Sequence, residues 1–400
     1  MEKTSMALPM GFRFAGQACG IKQDPSRLDL ALIVSDAPCA AAGVYTQNRV
    51  VAAPVVLDRQ RTPAGDVQAV VVNSGNANAC TGEQGMMDAQ RMTQWTAEAL
   101  SLREEQVLVM STGIIGQPLP MEKIARGIQQ AAQHLAANDE HQQAAARAIM
   151  TTDKAPKYTS RSVSVGDTTY SILGMAKGAG MIGPNMATML AVIVTDARLD
   201  PDQAQFELSQ VADVTFNCIS VEGHTSTNDT LLLLANGRAG GVALQGDGLG
   251  VWRRALHEVC GELARAIPND GEGSTHLIQI DVDGCASRSD AHAIARAIAN
   301  SPLVKTAIAG ADPNWGRIVS AAGYAGVPFD PQATDLLLNG TLVYQNGQPL
   351  AFDAAAVSTS IRTNRQTEIH LKLSEGPGHA RFWTSDLTAE YVRINADYHT

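Results

Sequence analysis

The sequence predicts a mixed α/β fold, because segments with the two-residue period of half-buried strands and segments with helical periodicity occur throughout the chain. The chain has 400 residues, of which 45% are hydrophobic, so it can bury a large core. Length alone suggests two or three domains. Neither internal repeats nor long low-complexity segments mark a boundary between them.

The strand predictions rest on apolar runs and on alternation of apolar with polar residues. They fall at 107–110, 168–173, 189–195, 278–282 and 369–373. The run at 189–195 is almost wholly apolar, which is typical of a strand covered on both faces. Asn339-Gly340 and Asn346-Gly347 predict hairpin turns.

Helical periodicity appears at 92–99, at 252–263 and at 294–298, where Ser289 is the expected N-cap. Ser111-Thr112-Gly113, which follows the strand at 107–110, has the composition of an ordinary turn.

Composition excludes several classes of function. The net charge is −10, with 30 basic and 40 acidic residues and no run of five basic ones, which argues against a nucleic-acid partner. No apolar run reaches the length of a signal peptide or of a membrane span, so we expect a cytoplasmic protein. The six cysteines and nine histidines show no spacing typical of a metal site.

Residues 174–196 are the most informative segment of the chain. Four glycines, Lys177 and a Pro-Asn pair lead to Ala187 and Thr188, directly before the apolar strand. Glycines allow strained backbone conformations, and such strain is often functional. A glycine-rich approach to an Ala-Thr bond at the start of a buried strand is the arrangement that self-cleaving enzymes with an N-terminal threonine need.

The chemistry of such a bond is specific. Attack by the Thr188 hydroxyl on the carbonyl of Ala187, followed by hydrolysis, leaves Thr188 with a free α-amine beside its own hydroxyl. That amine can act as general base for the hydroxyl nucleophile. Because α-amino groups titrate at about 7.7 to 8.0, a useful fraction is neutral in the cytoplasm.

This segment resembles the self-processing region of the ornithine acetyltransferase family, also called glutamate N-acetyltransferase, of arginine biosynthesis. Further motifs of the family lie at 73–82, 110–116, 149–153, 225–230, 310–317 and 391–400. The resemblance therefore extends from the first quarter of the chain to its last residue.

The resemblance implies functional roles for individual residues, although each of these residues could instead have a purely structural role. Thr188 is the nucleophile, and the Thr112 hydroxyl and the Gly113 N–H form the oxyanion hole. Lys177 binds the substrate carboxylate, and Glu272 recognises an amino group of ornithine. The other implied substrate-binding residues are Thr152, with Thr151 as its immediate alternative, Asn395 and Thr400, so we expect the C-terminus to be packed.

The resemblance also implies the organisation and the reaction. An α chain, residues 1–187, and a β chain, residues 188–400, share one core in a layered α/β sandwich and assemble as an α2β2 heterotetramer. Thr188 takes the acetyl group of N2-acetyl-L-ornithine, L-ornithine leaves, and L-glutamate accepts the acetyl group. The reaction needs no cofactor or metal, and the sequence leaves open whether acetyl-CoA is a second donor.

Four residues depart from the usual family pattern and bear on fine specificity: Lys154, Glu222, His224 and His276. Three alternatives also remain open. Gly178-Ala-Gly180-Met-Ile-Gly183 fits the G-x-G-x-x-G pattern of a dinucleotide-binding dehydrogenase. The second is an N-terminal-nucleophile amidohydrolase or aminopeptidase, and the third is an uncleaved amino-acid-binding or regulatory protein.

Overall fold

The computed structural model describes residues 6–183 and 189–397. Ala187, Thr188 and Thr400 lie outside the described residues, so their predicted roles rest on the sequence. Helices and strands are mixed along the described chain, as predicted.

Fifteen strands are present among the described residues: β1 (Phe12–Gln17), β2 (Leu30–Tyr45), β3 (Ala64–Asn76), β4 (Val107–Ile114), β5 (Lys157–Val165), β6 (Thr168–Lys177), β7 (Leu190–Thr195), β8 (Ile219–Ser220), β9 (Thr230–Ala235), β10 (Leu277–Cys285), β11 (Asp335–Leu338), β12 (Thr341–Gln345), β13 (Gln348–Pro349), β14 (Gln366–Lys372) and β15 (Gly378–Ser385).

The α-helices of the described residues are α1 (Ala53–Arg61), α2 (Gly82–Leu100), α3 (Met121–Gln133), α4 (Asp139–Ala148), α5 (Pro201–Val214), α6 (Gly246–Asn269), α7 (Arg288–Ala299), α8 (Pro302–Ala309), α9 (Trp315–Gly323), α10 (Ala354–Thr363) and α11 (Ala389–Asp397). None of them is both long enough and apolar enough to cross a membrane.

The strands form two sheets. The first has the order β4-β3-β2-β9-β7-β6-β5, with β1 paired to β2, and the second has the order β13-β12-β11-β14-β10-β15-β8. Both sheets mix parallel and antiparallel pairs: β3 with β4, β7 with β9, β10 with β14 and β8 with β15 are parallel. The predicted layered α/β class is confirmed.

Strand β7 lies inside the first sheet, between β6 and β9. Ala191 and Ile193 point into the core that α5 and α6 cover, whereas Val192 and Val194 point into the core on the opposite face. A strand covered on both faces is apolar at every position, which explains the run seen in the sequence. Strands from both sides of the predicted cleavage position therefore share one sheet, while cleavage itself stays a prediction.

The second sheet packs against α7, α8, α9 and α10 around a core of its own. Its hairpins turn at Asn339-Gly340 and Asn346-Gly347, as predicted. In each turn both residues have positive φ, 46° and 79° in the first and 46° and 72° in the second. Asn and Gly tolerate this conformation best, which is why these pairs predict such turns.

Two local predictions, and the interpretation of 111–113 as an ordinary turn, were wrong. Ser111, Thr112 and Gly113 continue β4 instead of forming a turn, because β3 pairs with them. The N-cap of α7 is Ser287, whose side chain accepts the amide N–H of Asp290; Ser289 lies inside the helix. Ala99, the last residue of the periodicity predicted at 92–99, is exposed, so the buried face of α2 ends before it.

Candidate active site

Six of the predicted site residues line one open cleft of about 650 Å³: Thr112, Gly113, Thr152, Lys177, Glu272 and Asn395. They come from β4, the loop after α4, the end of β6, the loop after α6, and α11. Thr151 also lines the cleft, so the choice between Thr151 and Thr152 stays open. The fold thus brings together residues spread over more than 280 positions, and their chemical roles stay predictions.

The backbone of β4 requires a glycine at position 113. Gly113 has φ of +136°, and a Cβ there would lie 2.3 Å from the carbonyl carbon of Gly75 and 2.4 Å from the amide nitrogen of Asn76. The two strands approach so closely because the β3–β4 register shifts between Gly75 and Asn76. Any side chain would force the strands apart, so glycine holds the backbone of β4 at the cleft.

Lys177 ends β6 with its side chain buried in the cleft wall, at 3% relative exposure. Its Nζ donates to the hydroxyl oxygen of Thr112 at 3.3 Å, and no carboxylate of the described residues lies within ion-pair distance. Burial lowers the pKa of Lys177, and the nearby Asp153 partly offsets this effect. A buried ammonium group with so few partners is poised to bind an anion.

Asp153 holds the loops around Lys177. Its Oδ1 accepts hydrogen bonds from Lys157 Nζ and from the Gly178 N–H, both at 2.7 Å, and its Oδ2 accepts the Thr151 N–H at 3.0 Å. Burial alone would raise the pKa of Asp153, but Lys177 and Lys157 hold it below its usual range. One carboxylate therefore fixes both the threonine loop and the start of the glycine-rich segment.

The same network reaches the loop that carries Glu272. Lys157 Nζ also donates to Asp270 at 2.7 Å, and the amide N–H of Glu272 donates to the carbonyl of Ala179 at 2.9 Å. The Glu272 carboxyl group packs on Gly180, where a Cβ would lie 2.5 Å from its carboxyl carbon. The glycine permits Glu272 to reach the cleft.

Helix α11 contributes Asn395, whose Nδ2 donates to Oε2 of Glu272 at 3.0 Å. The Thr388 hydroxyl, just before the helix, donates to the carbonyl of Gly273 at 2.7 Å. No residue of α11 is fully buried. The predicted packing of the C-terminus is therefore only partial over its described residues, which lie along the surface of the cleft.

The motif at 225–230 supplies two supporting residues to which the sequence assigned no role. Asn228 Nδ2 donates to the carbonyls of Ala77 at 2.6 Å and Ser111 at 2.9 Å, which fixes the residue before Thr112. Asp229 is fully buried, and its Oδ1 accepts the Met189 N–H at 3.2 Å. The motif at 225–230 could have identified these two residues from the sequence. Only the fold shows which backbone groups their side chains bind.

The four residues that depart from the family pattern lie in different settings. Lys154 and His224 are exposed. His276 is buried directly before β10, where its Nδ1 lies 3.1 Å from Oδ2 of Asp386. Glu222 is half-buried, behind the glycine-rich segment.

The structure does not support the dinucleotide-binding alternative. That site needs a helix directly after the glycines, with the pyrophosphate at its N-terminus. Here β6 ends at Lys177, and the next element of the described chain is the strand β7, which begins at Leu190. Within the described residues, no cluster of three or more His, Cys, Asp or Glu side chains could hold a metal ion.

Comparison with known proteins identifies the same family as the sequence motifs. The ArgJ family model matches residues 13–400. The arginine biosynthesis bifunctional protein ArgJ of Rhodopirellula baltica is 49% identical over 400 residues, which cover 99% of this chain and 97% of that protein. The protein of the same name from Geobacter sulfurreducens is 48% identical over 392 residues, which cover 98% of this chain and 99% of that protein.

A crystal structure of the arginine biosynthesis bifunctional protein ArgJ of Bacillus halodurans is also similar. Its TM-score is 0.50 at 38% identity, and the match covers 51% of this chain and 96% of that chain. The resemblance drawn from the motifs is confirmed. The chain belongs to the ArgJ family and is an enzyme of arginine biosynthesis.

Proposed function

We propose that this enzyme transfers the acetyl group of N2-acetyl-L-ornithine to L-glutamate through an acetyl ester on Thr188. The chain first cleaves itself between Ala187 and Thr188, which frees the α-amine that activates the threonine hydroxyl. L-Ornithine leaves after the first transfer, and L-glutamate then attacks the ester. The cycle is therefore a ping-pong exchange of one amide for a similar amide.

The hydrogen bond from Lys177 to the Thr112 hydroxyl is the main observation in support of the proposal. The buried ammonium group has unfilled donor capacity among the described residues, and a carboxylate in the cleft would fill it. An amino-acid substrate has such a carboxylate close to its acetylated nitrogen. Binding at Lys177 therefore places the acetyl group near Thr112 and Gly113.

Thr112 and Gly113 then act on the acetyl oxygen. Because the Thr112 hydroxyl oxygen accepts a hydrogen bond from Lys177, its proton is free to point to a developing oxyanion, with the Gly113 N–H as the second donor. One positioned donor of this kind typically contributes a factor of about 10² to 10³ in rate. The close packing of Gly113 on Gly75 makes the position rigid before substrate binds.

The other end of the cleft suits a cation. Glu272 presents a carboxylate there, and Asn395 orients it through the hydrogen bond to Oε2. Ornithine carries a second amino group at the end of its side chain, which is the complementary charge. Lys177 and Glu272 thus match the two ends of acetylornithine.

Two observations support self-cleavage. Residues 190–195 pair with β6, which precedes the proposed cleavage position, and with β9, which follows it, so both products would stay in one core. The Bacillus halodurans chain is matched over 96% of its length by only 51% of this chain, as expected if that relative consists of two pieces. The proposed pieces are an α chain, 1–187, and a β chain, 188–400.

Other features of the proposal follow from the chemistry or from the family resemblance. Exchange of similar amides is close to thermoneutral, so we propose that the reaction needs no ATP, metal or redox cofactor. Acetyl-CoA is an alternative acetyl donor. We further propose that Thr400 contributes to the substrate site, that the pieces form an α2β2 heterotetramer and that the enzyme is cytoplasmic.

Steady-state kinetics test the proposed reaction. Initial rates of N-acetylglutamate formation are measured while acetylornithine and glutamate are varied together, and a covalent acetyl-enzyme predicts parallel double-reciprocal lines. Intersecting lines would contradict the ester intermediate. Release of acetate at the same rate with and without glutamate would instead identify an amidohydrolase.

A further inference from the structure

The two amino acids of the proposed reaction have side chains of opposite charge. The same cleft has to accept ornithine, whose side chain ends in a cation, and then glutamate, whose side chain ends in an anion. The fixed carboxylate of Glu272 favours the first tail and repels the second. A nearby group whose charge changes between the two steps would let one pocket serve both substrates.

Glu222 lies close enough to Glu272 to interact with it electrostatically, and both contact the same glycine-rich segment. The amide N–H groups of Val221 and Gly223 both donate to the carbonyl of Ile182 at 2.9 Å, which places the Glu222 loop against that segment. The carboxyl group of Glu272 packs on Gly180, two residues earlier. The two glutamates therefore flank the same short stretch of backbone.

The Glu222 carboxyl group is poorly satisfied. Both oxygens are buried, and neither has a partner at normal hydrogen-bond geometry among the described residues. A buried carboxylate without partners is costly, whereas the protonated form removes the charge. The charge state of Glu222 therefore depends on the charges placed near it, of which the cleft residue Glu272 is one.

The charged and titratable groups that face Glu222 come from three elements: Glu272, in the loop after α6; Lys305, on α8; and Tyr391, on α11. His224, two residues along the chain, is exposed. Lys305 Nζ donates to the Thr384 hydroxyl at 2.8 Å and to the carbonyl of Ser385.

Two of these groups titrate near neutrality. Burial raises the pKa of Glu222 to about 8, Glu272 adds to the rise, and Lys305 with the amides of Ile182 and His224 partly offsets it. Burial lowers the pKa of Lys305 to about 7. Near pH 7.5 a small change in local potential is enough to move a proton onto or off this pair.

We propose that Glu222 is a specificity-determining residue that adapts the cleft to two substrate tails of opposite charge. Its carboxyl group releases a proton to solvent when the cationic tail of ornithine binds beside Glu272. It takes a proton back from solvent when the anionic tail of glutamate replaces ornithine. This inference rests on the proposed function, because only the acetyl exchange requires both tails in one cleft.

Calorimetry measures the proton exchange directly. L-Ornithine and L-glutamate are titrated separately into the enzyme at pH 7.5, in phosphate and in Tris, whose ionisation enthalpies differ. The dependence of the observed enthalpy on the buffer gives the protons exchanged. The wild type should release protons with ornithine and take them up with glutamate.

Glu222→Gln should abolish this difference in sign and weaken ornithine binding by roughly tenfold, with glutamate binding less affected. Glu222→Asp keeps an ionisable group and should keep both signs. Glu105→Gln, at an exposed position, is the matched control and should behave as the wild type.

Proton exchange of the same sign for both ligands in the wild type would overturn the inference, as would opposite signs that survive in Glu222→Gln. The acetyl-transfer assay separates this result from a failure of the proposed function. If the wild type transfers acetyl groups but its proton exchange has the same sign with ornithine and with glutamate, only the role of Glu222 is contradicted. A wild type that transfers none contradicts the proposed function itself.

Discussion

The ammonium group of Lys177 donates a hydrogen bond to the hydroxyl of Thr112, with Nζ 3.3 Å from Oγ1. Both residues are buried, and they come from β6 and β4, which lie in different parts of the same sheet. This contact links the group proposed to bind the substrate carboxylate with the group proposed to stabilise the oxyanion. Substrate binding and catalysis should therefore be separable by substitutions at these two positions.

Lys177→Met should lower kcat/KM for acetylornithine by roughly 10- to 100-fold, because a charge-assisted hydrogen bond is worth about 1.5 to 3 kcal/mol. Thermal stability should not fall, since methionine fills the space without burying a charge. The exposed Lys372→Met serves as control. Unchanged kinetics in Lys177→Met would exclude a carboxylate-binding role.

Thr112→Val should lower kcat by about 10² to 10³, because the oxyanion loses one donor while the shape of the side chain is kept. KM for acetylornithine should change little. Thr112→Ser restores the hydroxyl and should recover most of the rate. Equal kcat values in the valine variant and the wild type would show that Thr112 is not an oxyanion donor.

Asp153→Asn should destabilise the enzyme at pH 7 by about 3 to 5 kcal/mol, since it leaves Lys157 buried without one of its partners. The pKa of Asp153 is lowered in the folded state, so its contribution is fully present above the unfolded value of about 3.9. This contribution to stability is lost as the pH falls through the pKa that Asp153 has in the folded state.

Urea denaturation of the wild type and of Asp153→Asn at pH 7, 4.5 and 3 measures this dependence. The difference in unfolding free energy between them should shrink towards pH 3. The exposed Asp167→Asn should behave as the wild type at each pH. A difference that stays constant with pH would show that the charge of Asp153 is not what stabilises the fold.

Glu272→Gln should raise KM for acetylornithine by about tenfold or more, because the cation at the end of the substrate loses its carboxylate partner. KM for glutamate should rise less or fall, since a repulsive charge is removed. The ratio of the two KM values is therefore the informative quantity. Equal changes for both substrates would indicate a structural role instead.

Local features of the fold were largely predictable from the sequence. Strand β7 could be predicted because both of its faces are covered, which makes every position apolar. The periodicity of Trp252, Leu256 and Val259 predicted α6 because those side chains share its buried face. An ordinary turn was an open interpretation of Thr112 and Gly113 because glycine usually breaks strands, whereas here β3 imposes an extended pairing.

The network that joins the site could not be predicted. Asp153 and Asp270 are far apart in the sequence and meet only because Lys157 bridges them. Likewise, Glu272 reaches the cleft only because Gly180 leaves room for it. Motifs pointed to most of the cleft residues, but the charge environment of each depends on which loops the two sheets bring together.

Intact mass spectrometry tests most directly whether Thr188 is a self-generated nucleophile. The purified wild type should consist of two fragments that meet between Ala187 and Thr188, and the fragment that begins at Thr188 should gain one acetyl group on incubation with acetylornithine. Thr188→Ala should stay whole and gain none. A wild type that remains a single chain and takes up no acetyl group would contradict the proposed role of Thr188.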